Sequence, residues 1–436
     1  MSHERTDVVV IGGGFAGVTA AREMAATGAS VVLLEARDRL GGRTWTTEFE
    51  GEPVELGGTW VHWTQQHIWS ELTRHGIAIQ EDDWDFDAAI MGSPPRRRPA
   101  PETFARLKDL FVRFVGEHRA SLPLAHDPLH RYDQIAELDR LSMDDRLRQL
   151  DLADADVEYL TSLLFEIAGT ELGEAGYLQV VRWLALCDWS TDQWYEMNRY
   201  RPVGGTAAVL DAMLGPHEVD VRLADPVASV RYGDDGALVR TSGGAEIACR
   251  HVIVAVPVNT WNRIEFDPPL PETHRAAMRQ WMGKPRQDKV FLKVSGDIGR
   301  VFGHLPAPEP LNFFWTFRDV EDGQIIMAIN SSASLDVNDA DAVEAAMRRV
   351  IPEITEVHAV LGQSWSEDPW SSGGNLCPPP GQISAHLRAL QQPLRGLAFA
   401  TTEIANGWAG FIDGAIESGL RAAGHSRKAI GREGTR

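Results

Sequence analysis

The stretch VVVIGGGFAGVTAARE, from Val8 to Glu23, restricts what this chain can fold into more than any other part of it. Asp7 to Ile11 have the apolar continuity of a strand covered on both faces, and Phe15 to Ala26 are rich in helix formers. The glycines between them therefore occupy a strand-to-helix turn. In such a turn Gly12 permits the tight reversal and Gly14 leaves the backbone bare for a pyrophosphate. Gly17 lets helix and strand approach closely, and the helix N-terminal amides face the anion. ASVVLLEAR then supplies a second strand ending at Glu35, close to the separation expected of an acid that binds a ribose hydroxyl pair. An acid there disfavours a 2'-phosphate, so NAD or FAD is expected before NADP.

Charge narrows the partners. Lys and Arg total 42 against 62 Asp and Glu, a formal charge of -20, which argues against nucleic acid and anionic membrane surfaces and suits neutral or cationic small molecules. The basic triplet Arg96 to Arg98, flanked by prolines, reads as a solvated loop. The three cysteines, Cys187, Cys249 and Cys377, are too scattered for a disulfide framework or a paired metal site, and a reducing cytoplasm fits them. His62 and His67 lack the spacing of a helical ligand pair, so no metal is expected. An apolar strand comes too soon after Met1 for a cleaved leader, and no run of about 18 apolar residues suggests a membrane span. A soluble protein is expected, with a monomer and a homodimer both open.

The residues after Glu35 separate the two dinucleotides. A nicotinamide dehydrogenase usually runs its second strand straight into another helix. Here the pairs Gly41-Gly42 and Gly57-Gly58 bracket a short hairpin-like segment. RLGGRTWT, Arg39 to Thr46, fits the R-x-G-G-R-x-x-T signature found after the glycine fingerprint in the flavin-dependent amine oxidases, and the chain resembles that family, most closely its bacterial nicotine-type members. FATTEIANGWAGFIDGAIESGLRAA, Phe399 to Ala423, is similar to the family's C-terminal motif, with Thr401 where a glycine is usual.

The resemblance implies an α/β protein. It would have a discontinuous GxGxxG dinucleotide-binding FAD domain of glutathione reductase type, at 1–83, 202–286 and 371–427. An α+β substrate domain would occupy 84–201 and 287–370, with 428–436 as a tail. FAD would lie against Gly12, Gly14, Gly17, Glu35, Ala36, Arg37, Arg43, Gly57, Gly58, Val227, Trp365, Thr402, Glu403 and Ile412. The family's covalent members carry a cysteine after a glycine pair. Here Asn375 comes after Gly373-Gly374, so FAD is expected to be non-covalent.

Oxidation of an amine by a flavin asks little of the protein beyond alignment of the carbon next to nitrogen. In QDKVFLKV, strand alternation puts Lys289, Phe291 and Lys293 on one face and Val290, Leu292 and Val294 on the other. The resemblance makes Lys289 the lysine that reaches flavin N5 through a water and assists the reaction with O2; the bland reading is an exposed strand lysine. The family's two cage aromatics would correspond to Phe411 and, by a half-broken pattern, Asn375, whose amide suits a substrate carrying a carbonyl or heteroatom. Catalytic roles are therefore expected at Lys289, Asn375 and Phe411, and substrate contacts at Trp60, Glu166, Leu376 and Trp408. Glu166 would anchor a second cationic group or simply face solvent. Trp183, Trp189, Trp194 and Tyr195 read more readily as core than as pocket.

The expected reaction takes a hydride from the carbon alpha to nitrogen in a small secondary or tertiary, heteroaromatic amine, giving an imine or iminium while O2 becomes H2O2. A natural-product tailoring oxidase acting on an amine or amide nitrogen is the runner-up. An L-amino acid oxidase would need an arginine such as Arg318 in its pocket. A NAD-dependent reductase and a non-catalytic flavin-binding module are the alternatives from other classes.

Overall fold

The computed structural model describes residues 4–281 and 285–433. Strand Glu4–Ile11 lies parallel to Val31–Leu34 on one side and to Glu246–Val254 on the other, with Val9 opposite both Val32 and Val252. Its side chains alternate between two cores: Val8 and Val10 pack under helix Phe15–Ala25, while Val9 and Ile11 face the opposite layer. Burying each such valine contributes roughly 1.5–3 kcal/mol, and burial on both faces is why this stretch is continuously apolar.

Eight strands make this sheet. Seven run in the order Glu265–Asp267, Val227–Gly233, Gly236–Thr241, Glu246–Val254, Glu4–Ile11, Val31–Leu34, Asp220–Arg222, and Leu397–Phe399 also pairs with Glu246–Val254. The C-terminal helix Ile412–Glu433 crosses the fingerprint helix closely: a Cβ on Gly419 would stand 2.5 Å from the Ala16 carbonyl oxygen. That helix continues through the start of the expected tail, and residues 434–436 lie outside the described part.

A second sheet of seven strands runs in the order Ile354–Gln363, Asp288–Gly296, Gly323–Asn330, Leu311–Val320, Val301–His304, Ala88–Met91, Arg96–Pro99. The basic triplet is thus an edge strand, not a loop: Arg97 pairs with Glu353 at 2.9 Å and Arg98 lies over the Tyr159 ring. Charged edges of this kind deter edge-to-edge association. The alternation expected of QDKVFLKV holds, with Phe291 in one core and Val290, Leu292 and Val294 in another. Helix Ala100–Val115 packs on helix Asp154–Ala168, which itself lies against Val301–His304 and Leu311–Val320. The segment after Gly42 is a hairpin, Thr46–Phe49 with Glu52–Glu55. Among the described residues no helix is long and apolar enough to cross a membrane.

Candidate active site

A continuous cavity of about 360 Å³ connects the glycine turn of the first sheet to the helices over the second. At its nucleotide end lie Gly12, Gly14, Glu35, Ala36, Arg37 and Val227. Gly12 has φ +105°, open to glycine at no steric cost. A Cβ on Gly14 would meet nothing nearer than 3.8 Å, so the space above it belongs to the cavity. Gly17 does not line it: a Cβ there would stand 1.9 Å from the Gly12 carbonyl oxygen, and its glycine serves helix–turn packing. Glu35, 4% exposed, accepts from the Gly13 amide at 2.6 Å and the Arg37 amide at 2.8 Å. These bonds fix the carboxylate at the strand end, beside the glycines. Arg37 donates to Asp368 at 2.8 Å.

In the middle, Arg43, Gly57, Gly58, Trp365, Thr402 and Ile412 line the cavity. A Cβ on Gly57 would stand 2.0 Å from the Arg43 carbonyl oxygen and 2.9 Å from the Trp365 ring, so only glycine fits between them. Trp365 Nε1 donates to the Leu56 carbonyl at 2.8 Å, which fixes that ring. Glu403 is fully buried behind the wall, where its two carboxylate oxygens accept from Arg43 and from the Thr401 hydroxyl. The threonine that breaks the family pattern therefore has a partner of its own, and its side chain lines the cavity.

Lys289 is 6% exposed, which removes the reading of an exposed strand lysine. It donates to the Gly57 carbonyl at 2.7 Å and the Thr59 hydroxyl at 2.8 Å, and its ammonium lies 4.8 Å from the Trp60 ring centroid. Burial pulls its pKa down to about 7, against the favourable field of Glu55.

The remaining wall is aromatic. Phe411 stands edge-on to Trp408 (centroids 5.2 Å apart) and to Trp183 (5.6 Å), so two indoles set its plane. Trp408 itself is buried behind Phe411, with its Nε1 donating to the Thr64 carbonyl at 3.0 Å; it does not line the cavity. Leu376 is likewise buried and packs near Gly410. Asn375 does line it, with its amide donating to the Ile167 carbonyl at 3.2 Å.

Trp60 lines the cavity and donates to Asp82 at 3.1 Å. Trp183, Trp194 and Tyr195 line it too; as expected Trp183 is also part of the core and Trp189, Trp194 and Tyr195 pack against it, but Trp189 does not reach the cavity. Arg318 is spent on an ion pair with Glu52 away from the cavity, which leaves a substrate carboxylate without that partner.

Glu166 is half-buried and lies in the cavity wall, where its carboxyl has no hydrogen-bond or ion-pair partner among the described residues. Burial pushes that carboxyl up to about 8. Nearby, burial and the field of Glu166 raise the Tyr195 phenol, and burial lowers His304 to about 3. His304 is a cavity residue that sequence reasoning missed, because nothing distinguishes a histidine at a strand end from a structural one.

These residues fit FAD: bare backbone at Gly14, an acid at the second strand end, an arginine and paired glycines midway, and a helix N-terminus at Ile412. All three cysteines are buried and free, and none lines the cavity. His62 lies against the Trp63 ring at a tilt, and His67 bonds the buried Asp413 at the start of the C-terminal helix.

Comparison with known proteins accords with this geometry. Residues 15–425 match the family model described as flavin containing amine oxidoreductase. The chain is 35% identical to pseudooxynicotine dehydrogenase of a Pseudomonas species, over 95% of this chain and 84% of that one. It is 34% identical to nicotine dehydrogenase of Pseudomonas putida (95% and 87%), and 27% to (S)-6-hydroxynicotine oxidase of Paenarthrobacter nicotinovorans (94% and 97%). Cyclohexylamine oxidase from Brevibacterium oxydans superimposes with a TM-score of 0.80 at 21% identity, over 98% of this chain and 100% of that one, a likeness of fold. The chain belongs to the flavin-containing amine oxidoreductases, FAD-dependent enzymes that act on amine donors.

Proposed function

We propose that this enzyme oxidises the bond between nitrogen and its alpha carbon in a small secondary or tertiary, heteroaromatic amine, with FAD held non-covalently. The observation that carries the reading is the continuity of the cavity from Gly14 to the aromatic wall at Phe411, past a buried Lys289. Gly12, Gly14, Glu35, Arg43 and Gly57 would hold FAD, which would supply the two-electron oxidation of that bond to an iminium with O2 as the final acceptor, reduced to H2O2. Phe411, braced by Trp408 and Trp183, sets the plane against which the amine lies. Asn375 offers polarity on the opposing side, while the indoles and phenyl rings exclude water. Lys289 holds a proton at Nζ over Gly57 and Thr59.

We assign residues 1–83, 202–286 and 371–427 to the cofactor-binding part, and 84–201 with 287–370 to the substrate part. Support comes from the sheets: every strand of the first lies in the former set and every strand of the second in the latter. A cytoplasmic location and no nucleic-acid partner accompany this reading, in keeping with the unpaired cysteines and the -20 charge.

Anaerobic addition of nicotine-like amines to the purified protein tests the proposal. Bleaching of the oxidised flavin band supports it, and a band untouched by secondary and tertiary amines overturns it. Two relatives above 30% identity are named dehydrogenases, which favours a second reading in which a carrier other than O2 takes the electrons. Peroxide formed in equal amount to amine consumed separates oxygen from such a carrier.

A further inference from the structure

The cavity extends beyond Phe411 into a region whose polar atoms have no partners. The helix that carries Glu166 packs against the strand that ends in His304. Tyr195 stands edge-on to Phe104 (5.9 Å), Phe104 stacks on Phe302 (4.1 Å), and His304 stacks on Phe313 (4.5 Å). These rings fix Tyr195 and His304, and Glu166 is near enough to act on the Tyr195 phenol. The Tyr195 hydroxyl is buried with no hydrogen-bond partner, and so is His304 Nδ1, in a side chain only 4% exposed. Neither His304 nitrogen nor the Glu166 carboxyl bonds any described residue, and Glu166, Tyr195 and His304 all belong to the cavity wall. Buried polar atoms left unpaired are unfavourable, and a ligand that pairs them removes that penalty. A fully apolar substrate would leave all three groups unpaired.

We infer that Glu166, Tyr195 and His304 form a second recognition subsite that takes an uncharged heteroatom of the substrate, a ring nitrogen or a carbonyl oxygen, while the amine lies at Phe411. This rests on the amine-oxidising reading and specifies its substrate class. A lone pair on the heteroatom accepts from the Tyr195 hydroxyl or the protonated Glu166 carboxyl, and the neutral His304 ring supplies a further donor or acceptor. A second cation is disfavoured because its partner, Glu166, would have to ionise among aromatic walls with no other bond to stabilise it.

The test uses FAD-loaded wild type and the variants Tyr195→Phe, His304→Phe and Glu166→Gln. His304→Phe keeps the stack on Phe313, and flavin content reports intact folding. Anaerobic flavin reduction is measured with two matched pairs: nicotine against its phenyl counterpart, and pseudooxynicotine against the counterpart lacking the ketone oxygen. Wild type is expected to favour the heteroatom-bearing member by about tenfold in at least one pair, the scale of one or two hydrogen bonds. Tyr195→Phe or His304→Phe should bring that preference to about unity, and Glu166→Gln should retain it. An unchanged preference in both ring variants overturns the proposal. So does a Glu166→Gln variant that loses only putrescine, a diamine, because the group held would then be a cation. If neither pair reduces the flavin in wild type, the reading of a nicotine-type amine substrate fails. The subsite is then judged by the same preference, read from the flavin spectral shift on binding.

Discussion

Lys289 donates to the Thr59 hydroxyl at 2.8 Å, across 230 residues of sequence, and so joins the second sheet to the segment that carries the Gly57-Gly58 pair. This contact places an amine inside the cavity at the junction of the two layers. Burial lowers its pKa to about 7, so the group changes charge in the working pH range.

Lys289→Met should slow flavin reoxidation by O2 on the order of 10²-fold and slow reduction by amine much less, because a buried positive charge stabilises the negative charge that develops as oxygen is reduced. Stopped-flow traces of the two half-reactions check this, and equal slowing of both would remove the role.

The same group sets the pH profile. Lys289 is charged below about pH 7 and neutral above it, so the reoxidation rate of wild type should fall as pH rises through 7. In Lys289→Met the fall should be absent. A wild-type rate that climbs through 7 would indicate that the neutral amine is the active form.

Gly14→Ala and Gly17→Ala should fail in different ways. At Gly14 the added methyl meets nothing within 3.8 Å, so the cofactor-free protein should melt as wild type does while FAD binding weakens at least about tenfold. At Gly17 the methyl would collide with the Gly12 carbonyl, costing roughly 3 kcal/mol or more. Thermal unfolding of the apoproteins, with FAD titration, distinguishes the two.

Glu35→Ala leaves the Gly13 and Arg37 amides without their acceptor, at a cost of about 1–3 kcal/mol for a buried group. The variant should purify with little flavin and a lowered melting temperature. Full flavin occupancy would show that Glu35 only braces the turn.

Phe411→Ala removes the ring that Trp408 and Trp183 hold in plane, and should lower the rate of flavin reduction on the order of 10²-fold by loosening substrate alignment. Flavin content should be unaffected.

The sequence by itself determined the dinucleotide turn, its acid, the glycine hairpin and the alternation that puts Lys289 on the same strand face as Phe291, because each is a local constraint within a few dozen residues and backbone geometry enforces it. Tertiary structure alone decided what forms the cavity wall. Trp183, Trp194 and Tyr195 meet His304 from a distant part of the chain, and periodicity marks an apolar side chain as buried without saying whether it meets another side chain or a cavity. For the same reason Trp408 and Leu376 fell one layer behind the wall, and Arg318 went to Glu52. Glu166 was undecidable between solvent and pocket from its helix; only the packing of that helix against Val301–His304 and Leu311–Val320 brought it to the cavity wall.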